Sequence, residues 1–242
     1  MAGYQTTGII IGRFNLGEAD RIITFITPDH GKLRAVARGV RRIKSRMAGH
    51  LELFCRSQLM LAVGRNLDVI TSVRLENHPD KLAEDYEQLS YAYLFAEILD
   101  KLTEEGEAHP AVFKLLDEAL SALDQGQGGQ LLELWFKLRL AAELGYRPQL
   151  RGCVVCGRRD EAADYFFNPA LGGIVDAACR QAADQPMPVR QIKLWRLLLQ
   201  QDWPKLAKVG EAAGLAEDGL SLCDDFYEHV FGRRFRLAAV LK

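Results

Sequence analysis

The chain has 242 residues, 48% hydrophobic and 26% charged, with a formal net charge of −1, the balance of a folded protein of one large or two modest domains. No apolar run approaches the roughly 20 residues that span a bilayer, and the opening MAGYQTTGIIIGRFN lacks the basic start and apolar stretch of a secretory signal, so no membrane association and a cytoplasmic location are expected. Five cysteines in a chain of this length do not make a secreted disulfide framework, and a C-x-x-C in a reducing compartment points to metal or redox chemistry.

The first 75 residues read as β structure. YQTTGIIIGRFN carries a β-branched run, and DRIITFITPDHGKLRAVARGV reads as two strands joined at Pro28-Asp29-His30-Gly31. LELFCRSQLMLAVG and NLDVITSVRLEN follow, parted by Gly64-Arg65-Asn66. Five short strands with glycine-rich turns predict a small antiparallel barrel or sandwich. Beyond Pro79 the period changes to helix. KLAEDYEQLSYAYLFAEILDKLTEE places Leu82, Tyr86, Leu89, Tyr93, Leu94 and Ile98 at spacings of three and four. HPAVFKLLDEALSALDQG has Pro110 to begin it and Gly126 to end it, and GQLLELWFKLRLAAELGYRP stops at Gly145 and Pro148. After a cysteine segment, RQIKLWRLLLQ and LSLCDDFYEHVFGRRF read as two more helices. The fold class expected is α+β, with domains at 1–78 and 79–242, an insertion at about 150–185, and a boundary near Asn77–Asp80.

Net charge is unevenly placed. Residues 1–74 hold 12 Lys/Arg and 5 Asp/Glu, a net of +7, and the other 168 hold 19 and 27, a net of −8. The densest stretch, KLRAVARGVRRIKSR from Lys32 to Arg46, has seven basic residues and no acid. Its charges alternate with Leu33, Val36 and Val40, so an apolar side can pack while a basic side faces out. A basic module of this kind suits a phosphate backbone, with Arg34, Arg38, Arg41, Arg42, Lys44 and Arg46 as candidate contacts, Arg13 and Arg65 as weaker ones, and Ser45 as a hydroxyl donor. Phe14 and Phe54 are candidates for base stacking, though both read more readily as core.

CVVCGRRDEAADYFFNPALGGIVDAAC, from Cys153 to Cys179, opens as half of a zinc ribbon. Asp176 stands where a third cysteine would be expected, and 19 residues separate it from Cys156, a ribbon-like gap. Cys153, Cys156, Asp176 and Cys179 make a chemically reasonable structural zinc set, and DYFFNPALGGIV forms the hairpin between the two halves. A metal-free segment and a redox pair are the alternatives. A zinc deaminase is a third, since His50-Leu51-Glu52 matches the H-x-E half of that signature, but Gly152 stands where its proline belongs. Glu161 and Asp164, acids within the ribbon segment, read as solvated. Cys55 and Cys223 read as core.

Over GIIIGRFNLGEADRIITFITPDHGKLRAVARGVRRIKSRMAGHLELF the chain resembles the RecO family of bacterial recombination mediators. It shares the Gly17-Glu18-Ala19-Asp20 segment, the T-x-x-x-G turn at Thr27 to Gly31 and the G-x-R-R-x-K-S-R loop at Gly39 to Arg46, and YEHVFGRRFRL looks like the family's ending. The resemblance implies an N-terminal OB-fold, a helical domain and a zinc-ribbon insertion, in a non-enzymatic protein of the bacterial nucleoid. It implies binding of single- and double-stranded DNA, annealing of complementary strands and, with RecR, assistance to RecA in replacing single-strand-binding protein. The acidic, apolar-ended tail of that protein calls for apolar walls and a basic rim, which Trp135-Phe136-Lys137-Leu138-Arg139 offers on one helix, though this stretch reads more readily as a plain buried helix with Lys137 and Arg139 exposed. The alternative is an RNA- or ribosome-associated adaptor with the same two modules.

Overall fold

The structure, a computed structural model, describes residues 2–159, 164–207 and 213–237. They form two compact units, one running to Gly126 and the other beginning at Gln127.

The first unit is built on five strands, β1 (Gly3–Leu16), β2 (Asp20–Thr27), β3 (Gly31–Ala37), β4 (Arg56–Ala62) and β5 (Asp68–Asn77). They close into a barrel in the order β1-β2-β3-β5-β4. All pairings are antiparallel except β3 with β5, where Ala35 and Val36 lie opposite Asp68 and Val69. The long β1 serves both sides, its first half pairing with β4 and its second with β2 around an irregularity between Ile10 and Gly12. This is the OB-fold topology, and the expected barrel is borne out. Ile10, Ile23, Phe25, Ala35, Leu59, Leu61 and Ile70 fill its interior, with Val40, Leu51 and Cys55 closing one end. Gly31 is required in the β2–β3 turn: its φ is +63°, and a Cβ there would lie 1.8 Å from the Glu107 carbonyl oxygen.

Two helices complete this unit, α1 (Tyr86–Leu102) and α2 (Pro110–Asp124). α1 starts five residues later than its sequence period suggests, because the Asp85 carboxylate caps it by accepting the Glu87 and Gln88 N–H groups. Leu82 is still buried, but on a turn whose Lys81 and Leu82 N–H groups donate to Asp124. Pro110 opens α2 as expected.

The second unit holds α3 (Gln130–Glu143), a small sheet of β6 (Tyr165–Asn168), β7 (Gly173–Asp176) and β8 (Gln185–Pro186), then α4 (Val189–Gln200), α5 (Trp203–Leu206) and α6 (Ala213–Phe231). α6 runs through Gly219 rather than starting after it. The reason is close packing, since a Cβ at Gly219 would lie 2.4 Å from Gln191 Nε2 and 2.7 Å from Leu134 Cδ2. Trp135, Phe136, Leu138, Trp195, Phe226 and Tyr227 form the core of this unit.

Lys137 is buried completely in that core. Its ammonium donates to Glu133 Oε1 at 2.6 Å, Asp224 Oδ1 at 2.8 Å and the Phe235 carbonyl at 2.9 Å, which uses all three of its protons. Burial alone would pull its pKa down, but the two carboxylates outweigh that and hold it above the ordinary lysine value. Burial raises the Glu133 carboxyl, against the pull of Lys137. The Tyr227 hydroxyl donates to the Lys137 carbonyl, and Phe231 and Phe235 pack edge-on against the Tyr227 ring. The C-terminal YEHVFGRRFRL thereby closes over α3 through the Tyr227 hydroxyl and the Phe235 carbonyl, while Glu133 and Asp224 supply the neutralising charge. Among the described residues, no helix is long and apolar enough to cross a membrane.

Candidate nucleic-acid interface and cysteine knuckle

Strand register decides which side chains the barrel shows to solvent. Successive residues of a strand point to opposite faces, so Lys32, Arg34 and Val36 share the outer face of β3 while Leu33, Ala35 and Ala37 point inward. The expectation that Val36 packs on the same side as Leu33 is therefore corrected. Phe14 of β1 lies opposite Ile22 of β2, Ile22 opposite Val36, and Val36 opposite Val69. Phe14 is 69% exposed, while Ile22, Val36 and Val69 are half-buried. One row away, Gly12 lies opposite Thr24 and Thr24 opposite Arg34.

The reading of Phe14 as a core residue is overturned by this register. Phe54 is core, 4% exposed and edge-on to Tyr93, and it holds a φ of +66° while its N–H donates to the Ile10 carbonyl.

The chain leaves β3 at Ala37 and forms successive turns from Arg38 to Lys44. This segment is pinned at its start. Gly39 N–H donates to Asp20 Oδ1 at 2.7 Å, Arg41 N–H to the Ala19 carbonyl at 2.9 Å, and Arg41 Nη1 to the Gly17 carbonyl at 2.9 Å. Val40 drops into the barrel end, leaving its neighbours outside. Asp20 and Gly17, from the G-E-A-D segment, thus act as anchors for the G-x-R-R-x-K-S-R loop.

All six candidate cations, Arg34, Arg38, Arg41, Arg42, Lys44 and Arg46, are exposed. They differ in what already holds them. Arg34 pairs with Glu105, whose segment lies along β3 and whose neighbour Gly106 donates its N–H to the Lys32 carbonyl. Arg41 spends one donor on Gly17. Arg38, Arg42, Lys44 and Arg46 have no ion pair with any described acid. Lys32, the seventh cation of the run, is buried on the Asp100 carbonyl. Of the weaker candidates, Arg13 pairs with Glu52, and Arg65 is exposed on the β4–β5 turn. Ser45 Oγ accepts the Met47 N–H. Between Arg42 and Lys44, Ile43 is fully exposed at 104%.

In the second unit, the knuckle at Cys153–Cys156 is fixed to β7 by the Val154 N–H donating to the Ile174 carbonyl at 2.8 Å. β6 and β7 form the hairpin expected from DYFFNPALGGIV, with Tyr165 opposite Asp176. Asp176 ends β7 next to the first knuckle. Cys153 Sγ, Cys156 Sγ, an Asp176 carboxylate oxygen and Cys179 Sγ all lie within 4.8 Å of one another. Tetrahedral zinc with ligands at 2.0–2.3 Å has ligand-to-ligand edges of about 3.3–3.8 Å, so a small contraction closes the set.

Local electrostatics suit a cation. Burial pushes the Cys153 thiol up, but backbone N–H groups of Cys156, Asp176 and Val155 outweigh it and bring it to about 7. Asp176 Oδ1 accepts the Cys179 N–H at 2.9 Å and Oδ2 accepts the Cys156 thiol proton at 3.0 Å, which holds the carboxyl below its ordinary range. The carboxylate thus occupies the place of a knuckle thiolate and keeps its backbone hydrogen bond.

The deaminase half-motif has other employment. His50 Nδ1 accepts the Leu75 N–H at 3.1 Å, and Glu52 pairs with Arg13. Asp164 is exposed, and Glu161 lies outside the described residues. The α3 segment from Trp135 to Arg139 is the buried helix rather than a tail groove, and the expected exposure of Lys137 is corrected: Trp135, Phe136, Lys137 and Leu138 are fully buried, with only Arg139 partly exposed. A groove with the required chemistry lies elsewhere in this unit, where Arg151, Arg159, Lys193 and Arg196 surround Tyr165 and Ile192 in a space of about 470 Å³. Sequence reading missed it because its cations come from two segments about 40 residues apart.

The family model described as "Recombination protein O N terminal" matches residues 1–78, and "Recombination protein O C terminal" matches residues 83–238. A DNA repair protein RecO from Roseiflexus sp. (strain RS-1) is 37% identical over 240 residues, covering 98% of this chain and 84% of its own length. The protein of that name from Bifidobacterium adolescentis is 34% identical over 243 residues, covering 98% of each chain. One from Nocardioides sp. is 38% identical over 206 residues, covering 83% of this chain.

Proposed function

The chain belongs to the RecO family of DNA repair and recombination proteins, and from that premise we propose that it is a non-enzymatic mediator acting on DNA at the bacterial nucleoid. It binds single and double strands through residues 1–78 and brings complementary strands together. With RecR, it assists RecA in replacing single-strand-binding protein. The observation that carries this reading is a pinned loop on an OB barrel that presents Arg38, Arg42, Lys44 and Arg46 without an acidic partner among the described residues. Two phosphate backbones repel each other, and a cluster of uncompensated cations screens that repulsion while releasing counterions. Arg41 adds to the cluster, and Arg34 joins once DNA phosphate displaces Glu105. The rest of the chain, from residue 79, is the helical domain, whose α1 and α2 belong to the same compact unit as the barrel.

In the second unit Cys153, Cys156, Asp176 and Cys179 hold structural zinc. Bound zinc supplies a crosslink between two chain segments. The Cys153 sulfur receives backbone N–H groups, and Asp176 and Cys179 share a turn. The acidic tail of single-strand-binding protein seats in the groove of Arg151, Arg159, Lys193 and Arg196, with its apolar end against Ile192 and Tyr165.

The test is annealing of complementary oligonucleotides coated with single-strand-binding protein. Wild type should accelerate annealing, and a variant with charge reversed at Arg41, Arg42 and Lys44 should not, while keeping its fold. Equal annealing by both overturns the site. A strong preference for RNA over matched single-stranded DNA overturns the repair reading in favour of an RNA adaptor.

A further inference from the structure

We propose that the outer face of β1, β2 and β3 is a stacking platform for unpaired bases, with Phe14 as its ring; the proposal rests on the nucleic-acid reading of the loop. Phe14 stands at the end of the row Phe14, Ile22, Val36, Val69. An aromatic ring that is 69% exposed leaves apolar area in water that the fold itself does not recover. Along β1, the outward residue before Phe14 is Gly12, opposite Thr24, so the surface beside the ring is low and open. Ile22 and Val36, half-buried, form an apolar floor beside it.

The occupant follows from what borders this face. Arg34 lies one row away on β3, and Arg38 follows the same strand as it leaves the sheet. The loop bearing Arg42, Lys44 and Arg46 is pinned to Gly17 and Ala19, in the turn that follows β1, and to Asp20 at the start of β2. A ligand that covers an apolar row and meets several cations at its border combines a flat apolar body with regularly placed anions. A single-stranded nucleic acid has that composition, and each base offers a π face whatever its identity. A duplex does not, because its base faces are already stacked on one another. Ile43, fully exposed within the same loop, is a second apolar side chain free to meet bases. Phosphate contact through the loop is therefore common to both DNA forms, while Phe14 distinguishes them.

The experiment uses the full chain and three probes with equal phosphate counts: a thymidine homopolymer, a matched duplex and an abasic single strand. Phe14→Ala should weaken the homopolymer about tenfold, within the range that stacking of one base supplies, and leave the duplex and the abasic strand unchanged. Phe14→Trp should keep or strengthen homopolymer binding. The salt dependence on the homopolymer should be the same for wild type and Phe14→Ala, since no charge is removed. The exposed side chain makes loss of fold on truncation small, and circular dichroism of both variants confirms it. Equal effects of Phe14→Ala on all three probes, or no effect on any, overturn the platform. Failure of wild type to bind any of them overturns the nucleic-acid reading itself, which is a different outcome.

Discussion

Removing the loop cations should change how binding responds to salt by an amount that follows from counting. Four cations of the loop segment, Arg38, Arg42, Lys44 and Arg46, have no described acidic partner, and Arg41 has one donor committed to a carbonyl. Four to five phosphate contacts give a slope of log affinity against log salt of about −2.8 to −3.5 on single strands. Between 50 and 200 mM salt, that is a loss of about 50- to 130-fold. On duplex the slope steepens to about −3.6 to −4.5. The variant Arg42→Ala/Lys44→Ala/Arg46→Ala removes three contacts, so its single-strand slope should flatten by about 2.1. Fluorescence anisotropy of a labelled oligonucleotide across that salt range measures both. A triple variant that binds with an unchanged slope would falsify the placement of the phosphate contacts, even if its affinity fell.

Other expectations test the remaining features. Arg34→Ala should cost less affinity than Arg42→Ala, because Arg34 is already paired with Glu105, and Glu105→Gln should raise affinity a few-fold. Metal analysis of the purified chain should find one zinc, held more firmly against a chelator in Asp176→Cys and less firmly in Asp176→Ala. If Asp176→Ala retains zinc as well as wild type, the carboxylate is not a ligand. Lys137→Met should destabilise the second unit by about 3–5 kcal/mol in denaturant melts, because it strands the buried Glu133 carboxylate and leaves Asp224 with only Arg236, at 3.6 Å, among the described residues. Lys137 has a folded pKa raised above its ordinary 10.5, so its contribution is complete below that pH and is lost as pH rises through the folded value. The alkaline loss of stability in wild type should accordingly be shallower in Lys137→Met. Gly31→Ala should lower the melting temperature by several degrees, since its Cβ meets the Glu107 carbonyl in a left-handed turn.

The barrel was legible because each strand carries β-branched residues and each turn its own punctuation, and the loop was legible from its unbroken charge. Phe14 was not. Sequence alone counts an aromatic in a β-branched run as core, and only the irregularity between Ile10 and Gly12 sets the face on which it emerges. The spacing of Leu33, Val36 and Val40 looked like one apolar side, but a three-residue step on a strand changes face. Three cysteines and an aspartate were legible as one cluster able to hold a metal, because ligand spacing is local. Lys137 was not legible as core, because a lysine enters the interior only with partners, and one of its partners lies 87 residues away.

That separation also has a meaning in time. Lys137 and the Phe235 carbonyl that completes its shell are 98 residues apart. At a synthesis rate of about 5–20 residues per second, α3 waits about 5–20 s on the ribosome before its last partner is made. During that interval the five strands and two helices of the barrel unit, which run to Gly126, have all been made. The barrel strands are thus complete early in synthesis, while the shell around Lys137 closes only when translation is nearly over.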